Sequence, residues 1–191
     1  MIQKTKSAIF ELVCRWYVFI FLNVYGLGKI AGGQFYPKGQ LPPEIAKTPL
    51  EHVSAFDLGW TFMGYSYAYI LFIGFSQVIG AWFLLWNRTK LLGVGILIPI
   101  MLNIIIFDLI FLNGTGPTAN ATIYFLMLLY ILYFNKMQVI AALQALTMNV
   151  PQESLTWKKR IPIIVLVLII MGMVFWIDQF LVDLLGREVS N

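Results

Sequence analysis

Polar side chains inside or beside long apolar blocks are the groups in this sequence that could bind a ligand. A charged or amide group is costly in an apolar environment, so such groups pair with each other or line a polar site. They can neutralise a ligand's charge and exchange hydrogen bonds with it. The sequence assigns no catalytic residue, and the ligand-binding candidates are Arg15, Lys29, Gln34, Gln77, Asn103 and Asp108.

The first apolar block carries a polar stripe. At 100° per residue, Glu11, Arg15, Tyr25 and Lys29 lie on one face of a helix, with Leu22 and Gly26 between them. One interpretation is structural: an i,i+4 pair of Glu11 with Arg15, and Lys29 reaching the opposite interface. The other is that the stripe faces the protein interior and binds a polar ligand or relays protons.

Two amides lie in the middle of apolar blocks. Gln77 is central in the second block, and Asn103 follows Pro99 by one helical turn in the third. Amides at such depth need partners. We expect them to bond to each other or to the carbonyl that Pro99 leaves without a donor; orienting a ligand is the alternative.

Asp108 and Lys29 fall at a similar depth near the ends of their blocks, and they form an ion pair if the two helices touch. The only histidine, His52, lies near Glu51 and Asp57 in a loop. A single histidine beside solvated carboxylates is weak support for a metal or general-base site, so no metal is predicted.

The composition indicates which elements position these groups. Of 191 residues 60% are hydrophobic and 12% charged, which is outside the range of soluble globular proteins. The net charge of +4 comes from small basic groups at block ends, which argues against nucleic acid as a partner. The single cysteine, Cys14, excludes a disulfide or a CxxC pair within one chain.

The apolar blocks predict an all-α integral membrane protein with one membrane domain over residues 1–191. Its expected form is an antiparallel, left-handed four-helix transmembrane bundle plus a fifth transmembrane helix. Blocks of about 20 residues are long enough to cross a bilayer. The segment 33–66 is rich in proline and aromatic residues and should fold back onto the mouth of the bundle or partly re-enter it, whereas 135–160 permits a short amphipathic helix. The predicted spans are about 8–32, 67–86, 91–112, 119–134 and 161–185.

The distribution of Lys and Arg predicts an orientation, because these residues accumulate in cytoplasmic loops. With the amino terminus inside, five spans place the carboxyl terminus outside. The outer basic residues are then Lys29, Lys38, Lys47 and Arg187. The inner ones are Lys4, Lys6, Arg88, Lys90, Lys136, Lys158, Lys159 and Arg160.

Over its first four blocks the chain resembles the DoxX-like superfamily of small bacterial membrane proteins. The similar segments read CRWYVFIFLNVYGLGKIAGGQFY and GFSQVIGAWFLLWNRTKLLGVGI. The matching positions are Arg15, Gly26 or Gly28, Lys29, Gly80, Arg88 and Gly93. Gln77 stands where such proteins often carry glutamate, and the fifth block lies outside their usual four-helix unit.

The resemblance implies a bacterial cytoplasmic (inner) membrane and, for some members, membrane redox or sulfur metabolism. The favoured hypothesis is a non-catalytic or accessory component of a membrane system, with quinone-linked redox chemistry as one option, and with a pocket for a small ligand or a lipid. Quinone or lipid are the candidate ligands, and the bilayer, another membrane protein or a second copy of the chain are the candidate partners. The alternatives are a small-molecule or ion transporter or channel using the stripe, and a membrane enzyme acting on a lipid through Asp108 and His52.

Overall fold

The computed structural model describes residues 2–112, 115–147 and 157–188, and these residues form helices and connecting turns. The chain divides into two compact units, Met1–Gln144 and Ala145–Asn191. The helices are α1 (Ile2–Ile30), α2 (Pro43–Ala46), a short 3-10 helix (Leu50–His52), α3 (Ala55–Gly64), α4 (Tyr67–Phe83), α5 (Lys90–Phe111), α6 (Thr115–Phe134), α7 (Lys136–Thr147) and α8 (Trp157–Glu188).

Local sequence signals set several of these boundaries. Ser54 caps α3 by accepting a hydrogen bond from the backbone N–H of Asp57, and its hydroxyl donates to the Asp57 carboxylate. Ser66 caps α4 in the same way through the N–H of Tyr69. The chain turns by 90° between α3 and α4. Ser54 therefore marks the start of the short helix α3, and Ser66 separates α3 from α4 where the apolar pattern alone is nearly continuous.

Four helices of the first unit pack in a closed ring: α1 on α4, α4 on α5, α5 on α6, and α6 on α1. Neighbours run antiparallel, because Arg15 early in α1 bonds to carbonyls at the end of α4 whereas Gly26 late in α1 meets Gly74. The buried apolar centre of the ring is formed by Cys14, Val18, Leu22, Ala81, Leu84, Val94, Leu97, Met101, Tyr124, Leu128 and Ile131.

Helices long and apolar enough to cross a bilayer occur at Thr5–Ile30, Lys90–Phe111, Gly116–Phe134 and Arg160–Phe180 in the part of the chain that is described. The bent pair α3 and α4 is a fifth if it counts as one span. The prediction of helices in all five apolar blocks is confirmed, with shifted ends: α4 stops at Phe83 and α6 starts at Thr115.

The two long connections also contain helices. The segment 33–66 includes α2 and α3, and α3 packs against α4 and α5. The prediction that this segment folds back onto the longer helices is therefore confirmed. The predicted short helix in 135–160 is α7; residues 148–156 lie outside the described residues.

The second unit is dominated by α8, a helix of 32 residues. Its side chains from Arg160 to Phe180 are exposed, including every apolar one. An apolar surface around a whole helix is unfavourable in water and typical of a helix surrounded by lipid or partner helices.

Candidate functional site

Two adjoining cavities lie where the carboxyl-terminal end of α1 meets α3 and the end of α5. Their volumes are about 450 Å³ and about 430 Å³, within the range of small-molecule sites. Both are in the first unit. The residues that line both cavities are Lys29, Gln34, Trp60, Ile104 and Asp108. These shared residues form the junction of the two cavities.

The junction holds two opposite charges. Lys29 and Asp108 are only 5% and 7% exposed, and they attract each other electrostatically. The ion pairs among the described residues nevertheless do not include a direct contact between them. The Lys29 ammonium lies 5.8 Å from the centre of the Tyr25 ring, which is a weak cation–π contact. The expected ion pair between Lys29 and Asp108 is therefore wrong, although both residues line the same two cavities, and each charge is desolvated without a direct counter-ion.

The cavity walls are mostly apolar. In the first cavity α4 and α5 contribute Phe72, Ile73, Ile96, Ile100 and Phe107. In the second, side chains from α1, α3, α5 and α6 include Tyr25, Phe56, Met101, Leu112 and Tyr124. A ligand that fits here therefore needs an apolar body as well as a polar group for the junction.

The three candidate amides all line the cavities, but they do not bond to one another. Gln34 lines both, Asn103 lines the first, and Gln77 lines the second. The expected hydrogen bond between Gln77 and Asn103 is wrong: Gln77 is 1% exposed, and its Oε1 has no hydrogen-bond partner among the described residues. A buried unsatisfied carbonyl oxygen is unusual and marks a strained or functional position.

Aromatic residues of segment 33–66 cover the junction. Trp60 of α3 stacks on Phe56 at 4.2 Å between ring centres and lies 5.7 Å from Phe35. The backbone N–H of Tyr36 donates to the Trp60 carbonyl at 3.3 Å. The Tyr36 hydroxyl lies 3.3 Å from an Asp57 oxygen, and burial and this carboxylate raise the pKa of the Tyr36 phenol. Phe35, Phe56 and Trp60 of this segment line the cavities, whereas Tyr36 lines neither.

Arg15 lies apart from the other candidates, in a second polar cluster nearer the amino terminus of α1. Its guanidinium donates to the carbonyls of Leu84 and Leu85 and, at 2.8 Å, to Asn87 Oδ1. It also lies 3.6 Å from Glu11. With its donors bound to protein acceptors at the end of α4, Arg15 joins helices.

Glu11 is the centre of that cluster. The Lys90 ammonium donates to Glu11 Oε1 at 3.1 Å, and the Asn135 amide donates to the same oxygen at 3.3 Å. All three side chains are buried. The structural interpretation of the Glu11–Arg15 pair is confirmed, but the roles of Lys90 and Asn135 were missed. Lys90 lies at the start of a block and Asn135 lies in a turn, and the sequence pattern predicts that side chains at such positions are exposed to solvent.

His52 is outside the site. Its side chain is 70% exposed, and its Nε2 lies 3.6 Å from Glu51. In the described part of the chain, no three His, Cys, Asp or Glu residues group in a way that could hold a metal ion. Cys14 is buried in the apolar centre of the ring.

The amino-acid sequence of this chain is similar to that of a bacterial protein. No family model matches this chain, and no solved structure does. The uncharacterized protein YwoB of Bacillus subtilis (strain 168) is 36% identical to it over 135 residues, which are 71% of this chain and 80% of that protein. With that identity over most of both sequences, the chain belongs to the same protein family as YwoB.

Proposed function

We propose that this chain is an integral membrane protein that binds a small amphiphilic molecule and acts as a non-catalytic component of a membrane system. The observation that carries the proposal is the junction of the two cavities. Lys29 and Asp108 are buried there without a direct ion pair, between walls that are mostly apolar. A protein gains nothing from two separated buried charges unless another group satisfies them.

Membrane insertion is part of the proposal. The exposed apolar side chains of α8 and of the outer faces of the ring need a non-aqueous solvent. The ring would be the four-helix transmembrane bundle, α8 the fifth span, and the carboxyl terminus would lie outside. Similarity to a Bacillus protein and the DoxX-like sequence features support a bacterial cytoplasmic membrane.

The ligand candidates are a quinone and a lipid. Both combine an apolar body, which suits the walls around Phe72 and Tyr124, with a polar head that can meet Lys29. A quinone would link the protein to a redox partner as an accessory subunit. A lipid would make it a lipid-binding protein or a lipid-dependent assembly factor.

Transport is a second candidate, and the Glu11 cluster favours it. The cavities lie towards one end of the ring, while Glu11, Arg15 and Lys90 tie α1, α4 and α5 together near the other. A ligand site towards one end of a helix bundle whose other end is held by ion pairs is compatible with alternating access, in which one helix bundle rocks against another around the site. The hypothesis of a membrane enzyme acting on a lipid has less support, because His52 is exposed and lines neither cavity that contains Asp108.

Thermal unfolding of the purified protein in a maltoside detergent tests the proposal. A short-chain quinone or a phospholipid should raise the melting temperature of the wild type, and Lys29→Met should abolish the shift. Lys38→Met, which removes an exposed ammonium over the Tyr65 ring, is the matched control and should retain it. The proposal is wrong if neither class shifts the wild type, or if Lys29→Met responds as the wild type does.

A further inference from the structure

We propose that the ligand's head group is a zwitterion, with a primary ammonium beside an anion, as in an aminophospholipid. This inference rests on the proposed amphiphile-binding function and specifies its ligand. It starts from the charges at the junction, which are one ammonium, on Lys29, and one carboxylate, on Asp108. Both cavities share these two residues, so a head group at the junction meets both.

A zwitterion is the head group that satisfies both charges. An anionic head would pair with Lys29 but would be repelled by Asp108, and a cationic head would do the reverse. A neutral head would leave two desolvated charges with hydrogen bonds only. Because buried charges interact strongly in a medium of low dielectric, charge matching discriminates between ligands more sharply here than at an exposed site.

The aromatic surroundings of the charges suit a cation, and the polar groups at the junction favour a primary ammonium among cations. The rings of Tyr25, Trp60 and Tyr124 border the second cavity, and aromatic faces attract cations. The Gln34 side chain lies at the junction as a further acceptor or donor. A primary ammonium has three N–H donors, which can reach Asp108 and a second acceptor together.

The apolar walls favour an amphiphile over a free zwitterion. Both cavities extend from the junction between aliphatic and aromatic side chains, such as Ile100 in the first and Met101 in the second. A free amino acid or phosphoethanolamine would leave these walls uncovered. An acyl or isoprenoid chain in either cavity would cover them and add binding free energy in proportion to the area buried.

Native mass spectrometry of the delipidated protein in detergent tests the assignment. The probes are phosphatidylethanolamine, phosphatidylglycerol, diacylglycerol and free phosphoethanolamine. We expect phosphatidylethanolamine to bind about tenfold or more tightly than each of the others, which corresponds to one matched charge. Equal binding of phosphatidylglycerol or diacylglycerol overturns the zwitterion while leaving amphiphile binding intact. Equal binding of phosphoethanolamine overturns the amphiphile. Binding of no probe overturns the aminophospholipid assignment but not the proposed function, for which a quinone is then the remaining ligand.

Charge variants should change which lipid the protein prefers, and misfolding cannot produce such a change of preference. Asp108→Asn removes the carboxylate but keeps Lys29, so its preference should change to phosphatidylglycerol. Lys29→Met should lose both lipids. Lys38→Met and Asp178→Asn remove exposed charges on other helices or loops and should bind as the wild type does. An Asp108→Asn variant that folds and still prefers phosphatidylethanolamine contradicts the proposal.

Discussion

Gly26 of α1 and Gly74 of α4 face each other with their backbones in direct contact. A Cβ on Gly26 would lie 2.9 Å from the Gly74 carbonyl oxygen, and a Cβ on Gly74 would lie 2.9 Å from the Gly26 oxygen. Neither oxygen can move without bending a helix. The contact sets the spacing of α1 and α4, and these two helices contribute Lys29 and Gln77 to the lining of the second cavity.

We predict that Gly26→Ala destabilises the protein by about 1–3 kcal/mol, the usual effect of overpacking a close contact. It should also weaken amphiphile binding, because α1 is pushed away from α4. Gly28→Ala is the control on the same helix, since a Cβ there meets nothing within 4 Å. Unfolding in detergent measures both, and equal stability of the two variants would show that the contact is not tight.

We predict that Glu11→Gln costs about 3 kcal/mol or more, because it leaves the buried Lys90 ammonium without its counter-charge. Adding Lys90→Met should recover part of the loss. Glu51→Gln is the matched control: its carboxylate is 78% exposed beside His52, and the change should stay within about 0.5 kcal/mol. Additive losses in the double variant would show that Glu11 and Lys90 do not act as a pair.

The apolar blocks predicted the long helices because an apolar run of about 20 residues has few other structures available. That Lys29 and Asp108 lie at the same end of the ring was also predictable from their similar depth, although α1 and α5 lie on opposite sides of the ring. The Glu11–Lys90 contact joins residues 79 apart in sequence. Lys90 follows a turn whose basic residues are typical of a solvated interface, so no local pattern indicated its burial.

The failed pairing of Gln77 with Asn103 has a geometric cause. Depth in a helix can be estimated from sequence, but the rotation of one helix against another depends on packing contacts such as Gly80 on Leu97. That rotation directs the two amides to different cavities. Ser54 and Ser66 could have been recognised in the sequence as helix caps. The prolines of segment 33–66 argued against a helix there, so α3 was not predicted.

We predict that Gln77→Met raises the free energy of unfolding of the ligand-free protein by about 1 kcal/mol, because it removes a buried acceptor that lacks a partner among the described residues. Asn23→Leu provides the contrast. The Asn23 amide donates to the Phe19 carbonyl at 2.7 Å and accepts from Trp82 Nε1 at 3.1 Å, so its loss should destabilise. A large loss of stability in Gln77→Met, measured by the same unfolding assay, would show that Gln77 is satisfied in solution.

The last prediction is that the two termini lie on opposite sides of the membrane, with the amino terminus in the cytoplasm. In the first unit, Arg15, Lys90 and the α6–α7 junction at Asn135 meet near one end of the ring, and Lys29 and Asp108 meet near the other. The first end carries the basic residues assigned to the cytoplasm, although Lys90 is neutralised by Glu11 and adds little to the bias. One further crossing by α8 places the carboxyl terminus outside.

Fusions of a fluorescent protein and of a periplasmic phosphatase after Asn191 measure the side on which the carboxyl terminus lies. The phosphatase should be active and the fluorescent protein dark. The reverse pattern would mean that an even number of segments crosses, and either α6 or α8 would then not span the membrane.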